Sequence, residues 1–210
     1  SQNLDGQKID LKPPLRTYRG LRLRLVGPHP TQNAAAAVRA AELAWESIGE
    51  ELPEAAVKEG LANARCPGRF EAIKRKPLTI VDGMHTPLAA RRFKQTVAAL
   101  SLPRQRAYVI GLLAGKQTEE IASVLVEAGD TVIVAPPNTP RAADPAEVAR
   151  IFSEAGAIVQ QAPDVGGAID VARPIAGDSG VVFVIGSLYT AAEAREQLLA
   201  VTGDRAFGLR

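Results

Sequence analysis

The amino-acid sequence predicts an α/β fold: a doubly wound, mainly parallel sheet of about six strands, Rossmann-like in its layering. Two observations lead there. From residue 68 onward, short apolar runs alternate with helical segments, as in successive β–α–β crossovers. Each run is dense in Val, Ile or Leu at consecutive positions, as expected of parallel strands covered on both faces. The 210 residues are enough for one large domain or a domain with a lead-in, and 36 alanines suit close packing of helix on sheet.

Taken in order, residues 1–17 are polar, Pro-containing and aperiodic, and read as a linker or the end of a preceding domain. Over residues 18–26, Leu21, Leu23 and Leu25 alternate with Arg22 and Arg24, a strand with one wet face. A solvated face is the default reading of the two arginines, and a phosphate-facing strip the minor one. Gly27-Pro28 breaks the strand. Residues 31–48 are helical, with Val38, Ala41, Trp45 and Ile48 on one face, and a second helix spans about 53–62 with Pro53 at its start. Residues 68–74 form a further strand, at an edge or antiparallel. Parallel strands are predicted at 78–81, 107–112, 131–134, 157–160 and 181–185. Thr86-Pro87 opens a helix whose Ala89, Phe93, Val97 and Leu100 share a face. Asp144-Pro145-Ala146-Glu147 and Thr190-Ala191-Ala192-Glu193 both have capping-box spacing. Gly129 and Gly156 stand where helix ends favour a left-handed residue.

Composition excludes several classes. Lys and Arg number 25 against 23 Asp and Glu, and a net charge of +2 makes no case for nucleic acid. Hydrophobic residues at 46% and charged residues at 23% exclude global disorder. The single cysteine, Cys66, excludes a disulfide framework and a multi-cysteine metal site, and fits a reducing, cytoplasmic compartment. It reads as a buried or half-buried small apolar residue rather than a nucleophile. No apolar run approaches the roughly 18 residues of a membrane span, and no signal peptide is expected, so no membrane partner is anticipated. The first residue is Ser, which suggests a processed terminus or part of a longer protein.

Ligands of open parallel sheets sit beyond the carboxyl ends of the strands. That rule selects Asp82-Gly83-Met84-His85-Thr86-Pro87, residues 111–116, residues 136–141, and Gly186-Ser187-Leu188-Tyr189. In the first, an acid and one of two histidines lie three apart before a helix N-terminus, a place that favours anions. Two readings stand there: a ligand site, or a capping Asp82 with His85 as an exposed loop residue. Gly111-Leu112-Leu113-Ala114-Gly115-Lys116-Gln117 imitates a phosphate-binding loop but has three residues between its glycines and Gln after Lys. No GxGxxG follows a predicted strand, and no GxSxG elbow exists.

In the same order, the segments resemble the folylpolyglutamate synthase/dihydrofolate synthase family, relatives of the Mur peptide ligases. Gly27-Pro28-His29-Pro30-Thr31-Gln32-Asn33-Ala34 is similar to the family's G-x-H-Q-x-x-N-A, Pro67-Gly68-Arg69-Phe70-Glu71 to its P-G-R-x-E, and Asp82 to Pro87 to its D-G-A-H-N-P. Pro140-Arg141-Ala142 and Gly186-Ser187-Leu188-Tyr189 match its P-R-A and G-S-L-Y. Five short motifs in family order cover roughly residues 18–193. Departures are Pro30 for Gln, Cys66 for Trp, Met84 for Ala, Thr86 for Asn, and Gly115-Lys116-Gln117 for D-K-D.

The resemblance implies a Mur-ligase-like C-terminal domain over residues 63–210, with residues 18–62 closing a central domain. It implies an ATP-dependent ligase that adds L-glutamate to a folate or dihydropteroate carboxylate through an acyl phosphate. The partner implied is the family's N-terminal ATPase domain, with its glycine-rich loop and Mg2+ ligands, which these residues do not include. Asn33, Arg69 and Asp82 are implied as ATP contacts, and His85 matches the motif histidine, for transition-state stabilisation or substrate orientation. Lys116, Ser187 and Tyr189 are placed by topology near the glutamate. No metal ligand is expected in this chain. Alternatives are a diverged, non-catalytic relative that binds nucleotide or glutamate, and an unrelated small-molecule-binding α/β module.

Overall fold

The computed structural model describes residues 2–14 and 16–203; Ser1 and Leu15 of the expected lead-in, and residues 204–210, lie outside the described residues. The chain divides into two compact units, Ser1–Cys66 with Gln95–Leu100, and Pro67–Lys94 with Ser101–Arg210.

In the first unit, β1 (Gln2–Asn3), β2 (Gly6–Leu11) and β3 (Tyr18–Leu23) form an antiparallel sheet with β2 in the middle. Of the two expectations for residues 1–17, a linker or the end of a preceding domain, the strand at residues 6–11 departs from the linker alone: Ile9 lies opposite Leu21 and both are buried. Two apolar residues among polar neighbours carry too little pattern to register alone, and pairing with β3 supplies the rest. Arg22 and Arg24 are exposed, the solvated face. α1 (Pro28–Glu46) starts earlier than predicted, because prolines are tolerated in a first turn whose N–H groups have no helical partner. It also ends earlier, which leaves Ile48 exposed rather than on the buried face. α2 (Glu54–Asn63) has Pro53 at its cap. Val38 and Leu61 join Leu21 and Leu23 in one core, beside which the Tyr18 hydroxyl donates to buried Glu42 at 3.0 Å.

The second unit contains β4 (Glu71–Arg75), β5 (Leu78–Asp82), α3 (Pro87–Ala99, which runs into the Gln95–Leu100 stretch), β6 (Arg106–Ile110), α4 (Thr118–Leu125), β7 (Thr131–Val134), α5 (Pro145–Glu154), β8 (Ile158–Gln161), α6 (Val165–Ala176), β9 (Val181–Ile185) and α7 (Leu188–Leu199). The strands form one sheet in the order β4-β5-β9-β6-β7-β8, parallel from β5 to β8, with β4 antiparallel at the edge. This is the six-stranded, mainly parallel sheet that the sequence predicts. The last strand in sequence, β9, lies between β5 and β6 and is wholly buried. The opposite edge, β8, differs from the expectation of two covered faces: its Ile158 is exposed.

Helix ends differ in two places. Ser187, not Thr190, caps α7, accepting from the Thr190 N–H, because the helix begins at Leu188 and Thr190 is already inside it. Gly129 lies in the turn before β7 rather than at a helix end, since α4 stops at Leu125. Gly156, by contrast, follows the last residue of α5 in a left-handed conformation, and Asp144 caps that helix by accepting from Ala146 N–H.

One aromatic row ties the sheet to its cover. Phe70 packs on Phe93 of α3 at 5.4 Å between ring centroids, Phe93 meets Phe183 of β9 edge-on at 5.2 Å, and Phe183 meets Tyr108 of β6 at 5.3 Å. Burial pushes the Tyr108 phenol up to about 12. Phe183 has no exposed surface. Phe183→Ala should therefore cost about 3–5 kcal/mol, as read by urea unfolding; a loss below about 1 kcal/mol would mean that the row does not organise the core.

Candidate functional site

β5 and β9 run in register, with Asp82 opposite Ile185, so residues 82–87 lie beyond the carboxyl end of a central strand. From there the chain enters α3. Thr86 accepts from the Ala89 N–H at 3.2 Å and caps the helix, whose first-turn N–H groups favour negative charge.

Asp82 is half-buried where β5 ends. Its Oδ2 accepts from the Phe70 N–H at 2.8 Å and its Oδ1 from the Met84 N–H at 2.7 Å. Burial raises the carboxyl above its ordinary value; the two N–H donors and the charges of Arg69 and His85 oppose that shift without cancelling it. Each oxygen keeps a lone pair for a further donor.

The turn before β4 carries Arg69 to the same place. Because β4 pairs antiparallel with β5, with Glu71 opposite Val81, the start of one strand lies beside the end of the other. Gly68 has φ +68, and its carbonyl accepts from the Gly83 N–H at 2.8 Å. Phe70 has φ +43, a costly conformation for a bulky residue, and it persists because its N–H is bound to Asp82 and its ring is packed on Phe93. The exposed Arg69 folds over Gly83, where a Cβ would stand 3.3 Å from Arg69 Nη1 and collide with Leu188. A side chain there would have to push Leu188 aside.

His85 is half-buried, with Nδ1 2.9 Å from the Gly83 carbonyl. With its proton on Nδ1 the ring donates to that carbonyl, which leaves the Nε2 lone pair as an acceptor. Arg69, Asp82 and His85 thus share one rim.

The other predicted residues are placed differently. Asn33 is exposed on α1, in the first unit. Lys116 is half-buried in the loop after β6, and Tyr189 is partly exposed in the first turn of α7. Ser187 is buried; its hydroxyl accepts from the Thr190 N–H at 3.0 Å and lies 2.8 Å from Thr190 Oγ1, which donates to the Gly111 carbonyl at 2.7 Å. Expected from topology on a loop near the glutamate, Ser187 has its hydroxyl engaged in capping α7 and covered. Cys66 is exposed, contrary to its apolar reading, because the segment around it runs over the surface with Arg65 and Pro67.

Three residues at or near the rim were not among the expected site residues. Glu71 accepts from the Gly68 N–H at 2.8 Å through one oxygen and pairs with Arg195 of α7 through the other. Glu71 stands inside the P-G-R-x-E segment, a signal that was present; nothing local marks Arg195, 124 residues away. The third is Arg141. Ala114 N–H donates to its carbonyl at 2.8 Å, and Leu113 pairs with Ala142, so the loops after β6 and β7 are fastened together with Lys116 and Arg141 close by. Among the described residues, no three His, Cys, Asp or Glu side chains are grouped to hold a metal ion. Among them, no helix is long and apolar enough to cross a membrane.

Residues 68–188 match the family model described as Mur ligase, glutamate ligase domain. The chain belongs to this family. A Mycobacterium tuberculosis dihydrofolate synthase/folylpolyglutamate synthase is 28% identical over 206 residues, which cover 90% of this chain and 42% of the relative. A probable bifunctional folylpolyglutamate synthase/dihydropteroate synthase of Haloferax volcanii is 31% identical, over 83% of this chain and 20% of the relative. The chain thus spans less than half the length of these glutamate ligase relatives. Among solved structures, M. tuberculosis folylpolyglutamate synthase complexed with ADP superposes with a TM-score of 0.82 at 27% identity, over 93% of this chain and 45% of that one. The Yersinia pestis bifunctional folylpolyglutamate synthase/dihydrofolate synthase with Mn, AMPPNP and L-glutamate bound gives 0.71 at 29%, over 89% and 43%.

The raised Asp82 carboxyl makes a pH dependence. The folded protein holds that proton more tightly than the unfolded chain, so stability falls as pH rises from the ordinary carboxylate value through the raised one. Relative to Asp82→Asn, the wild type should therefore lose stability as pH rises above the ordinary carboxylate value of about 4, as read from urea midpoints. A pH-independent difference, or one of opposite sign, would contradict the burial-driven shift.

Proposed function

We propose that this chain is the carboxyl-terminal part of a longer ATP-dependent ligase that joins L-glutamate to a folate or dihydropteroate carboxylate. The observation that carries the reading is the shared rim of Arg69, Asp82 and His85 beside the N-terminus of α3, in a chain whose relatives named above are folylpolyglutamate and dihydrofolate synthases. A cytoplasmic location accords with the single cysteine.

In this reading Arg69 places its planar fork on the polyphosphate of ATP. Asp82, with one lone pair left on each oxygen, accepts from ribose hydroxyls or orders water near the phosphates. Asn33, as an adenine contact, rests on the motif resemblance alone. The remaining substrate part is dicarboxylic: Lys116 and Arg141 supply positive charge for L-glutamate, with Tyr189 nearby and Ser187 holding the α7 start in place. Mg2+ neutralises phosphate charge in such reactions, and we assign its ligands to the part of the enzyme outside these residues.

The chemistry balances in two steps. A carboxylate oxygen of the pterin acid attacks the γ-phosphorus, and ADP leaves. The neutral amine of glutamate then attacks the acyl carbon, inorganic phosphate leaves, and the nitrogen loses a proton. His85 Nε2, free to accept, orients an N–H donor of the incoming amine. Exclusion of water protects the acyl phosphate until that attack.

In the complete enzyme, Arg69→Ala should lower kcat/KM for ATP at least about tenfold, equivalent to roughly 1.4 kcal/mol, with little change in melting temperature. Wild-type kcat/KM in that variant would remove the support for the ATP assignment. Residues 1–210 alone should show no glutamate-dependent ADP release, with either dihydropteroate or tetrahydrofolate as acceptor. Turnover by the purified chain would refute the division of labour proposed here.

A further inference from the structure

We infer that Glu71, braced by Arg195, is a positioning residue that holds the Arg69 guanidinium at the rim; the inference rests on Arg69 acting on ATP as proposed above. The turn that carries Arg69 has two residues in the left-handed region, Gly68 and Phe70. Glycine adopts such backbone freely, but a bulky residue such as Phe70 keeps it only when its surroundings hold it. Two carboxylates do so from opposite sides of Arg69. Asp82 takes the Phe70 N–H that follows it, and Glu71 takes the Gly68 N–H that precedes it.

Asp82 belongs to the end of β5 and is fixed by the sheet. Glu71 opens β4, an edge strand, and has no such anchorage on its outer side. Arg195 provides it. Its guanidinium pairs with the second Glu71 oxygen, and both side chains are about one-quarter to one-third exposed. Arg195 lies on α7, whose first turn packs Leu188 against Gly83, and Ala191 of the same helix lies 3.3 Å from where a Cβ on Gly68 would stand. One helix therefore touches both glycines that flank Arg69, directly and through the Arg195–Glu71 pair.

A brace of this kind acts through Arg69 alone, which separates it from a general packing role. In the complete enzyme, Glu71→Ala should lower kcat/KM for ATP at least about fivefold while KM for the pterin substrate stays within about twofold. In an Arg69→Ala background the same substitution should change kcat/KM for ATP by less than about twofold, since the residue it positions is gone. Arg195→Met, which leaves the Glu71–Gly68 bond in place, should act in the same direction, and Arg195→Lys should recover part of the loss; these two carry the test if Glu71→Ala fails to fold. Multiplicative losses in the double variant would overturn the inference. So would wild-type behaviour of both Glu71→Ala and Arg195→Met beside a weakened Arg69→Ala, and that result would leave the ATP reading standing. Wild-type kcat/KM in Arg69→Ala would overturn the ATP reading itself, and the positioning role with it.

Discussion

A carboxylate that ends a buried strand must find its hydrogen-bond donors within the protein, and at Asp82 this requirement organises the rim. Losing water there costs enough to hold the carboxyl above its ordinary value even with two N–H donors in place. One donor precedes β4 and the other follows β5, so a single side chain fastens the edge strand to the central strand and the loop to both. Arg69 lies between these attachments. Its position over Gly83 is a consequence of how Asp82 is satisfied, and the left-handed Phe70 is tolerated because its N–H is one of the two donors.

The same residue extends the constraint into the core. The ring of Phe70 begins the row that runs through Phe93 and Phe183 to Tyr108, from the rim to the middle of the sheet. Phe183 lies on β9, which enters the sheet last in sequence and between two strands already separated by a crossover. Contacts of such long sequence separation carry a loop-closure cost in entropy. Until β9 is in place, the loop after it cannot bring Ser187, Leu188 and α7 against Gly83 and Gly111. The placement of the α7 start against Gly83 and Gly111 thus depends on β9.

What was legible in the sequence had a local physical cause. Strands β5, β6, β7 and β9 are apolar at successive positions because both faces are covered, and that run is visible without a structure. Asp82 and His85 were legible because parallel strands deliver their carboxyl-terminal loops to one side, whereas Arg69, ahead of the antiparallel β4, was legible only through its resemblance to the P-G-R-x-E segment. The illegible parts depend on partners far along the chain. β2 has only Ile9 and Leu11 to declare itself, and it needs β3. Ser187 looks like an exposed strand-end hydroxyl until α7 is seen to begin at Leu188 and cover it. Cys66 resembles a core residue by type alone, whereas its exposure is set by the path of the chain around it. Arg195 carries no mark until Glu71 is placed opposite.

The departures from the family pattern bear on whether the rim is a working one. Thr86 stands where Asn is usual, and it caps α3 through its hydroxyl as an Asn side chain would. Met84 replaces Ala, yet its contribution to Asp82 is its backbone N–H, which every residue other than proline possesses. Pro30 falls in the first turn of α1, where a missing N–H breaks no helical bond. At each of these positions the structure uses backbone geometry or a cap that the replacement still supplies. Arg69 is exposed, and no core packing depends on its guanidinium. It lies over a glycine that leaves it room, on a turn held by two carboxylates.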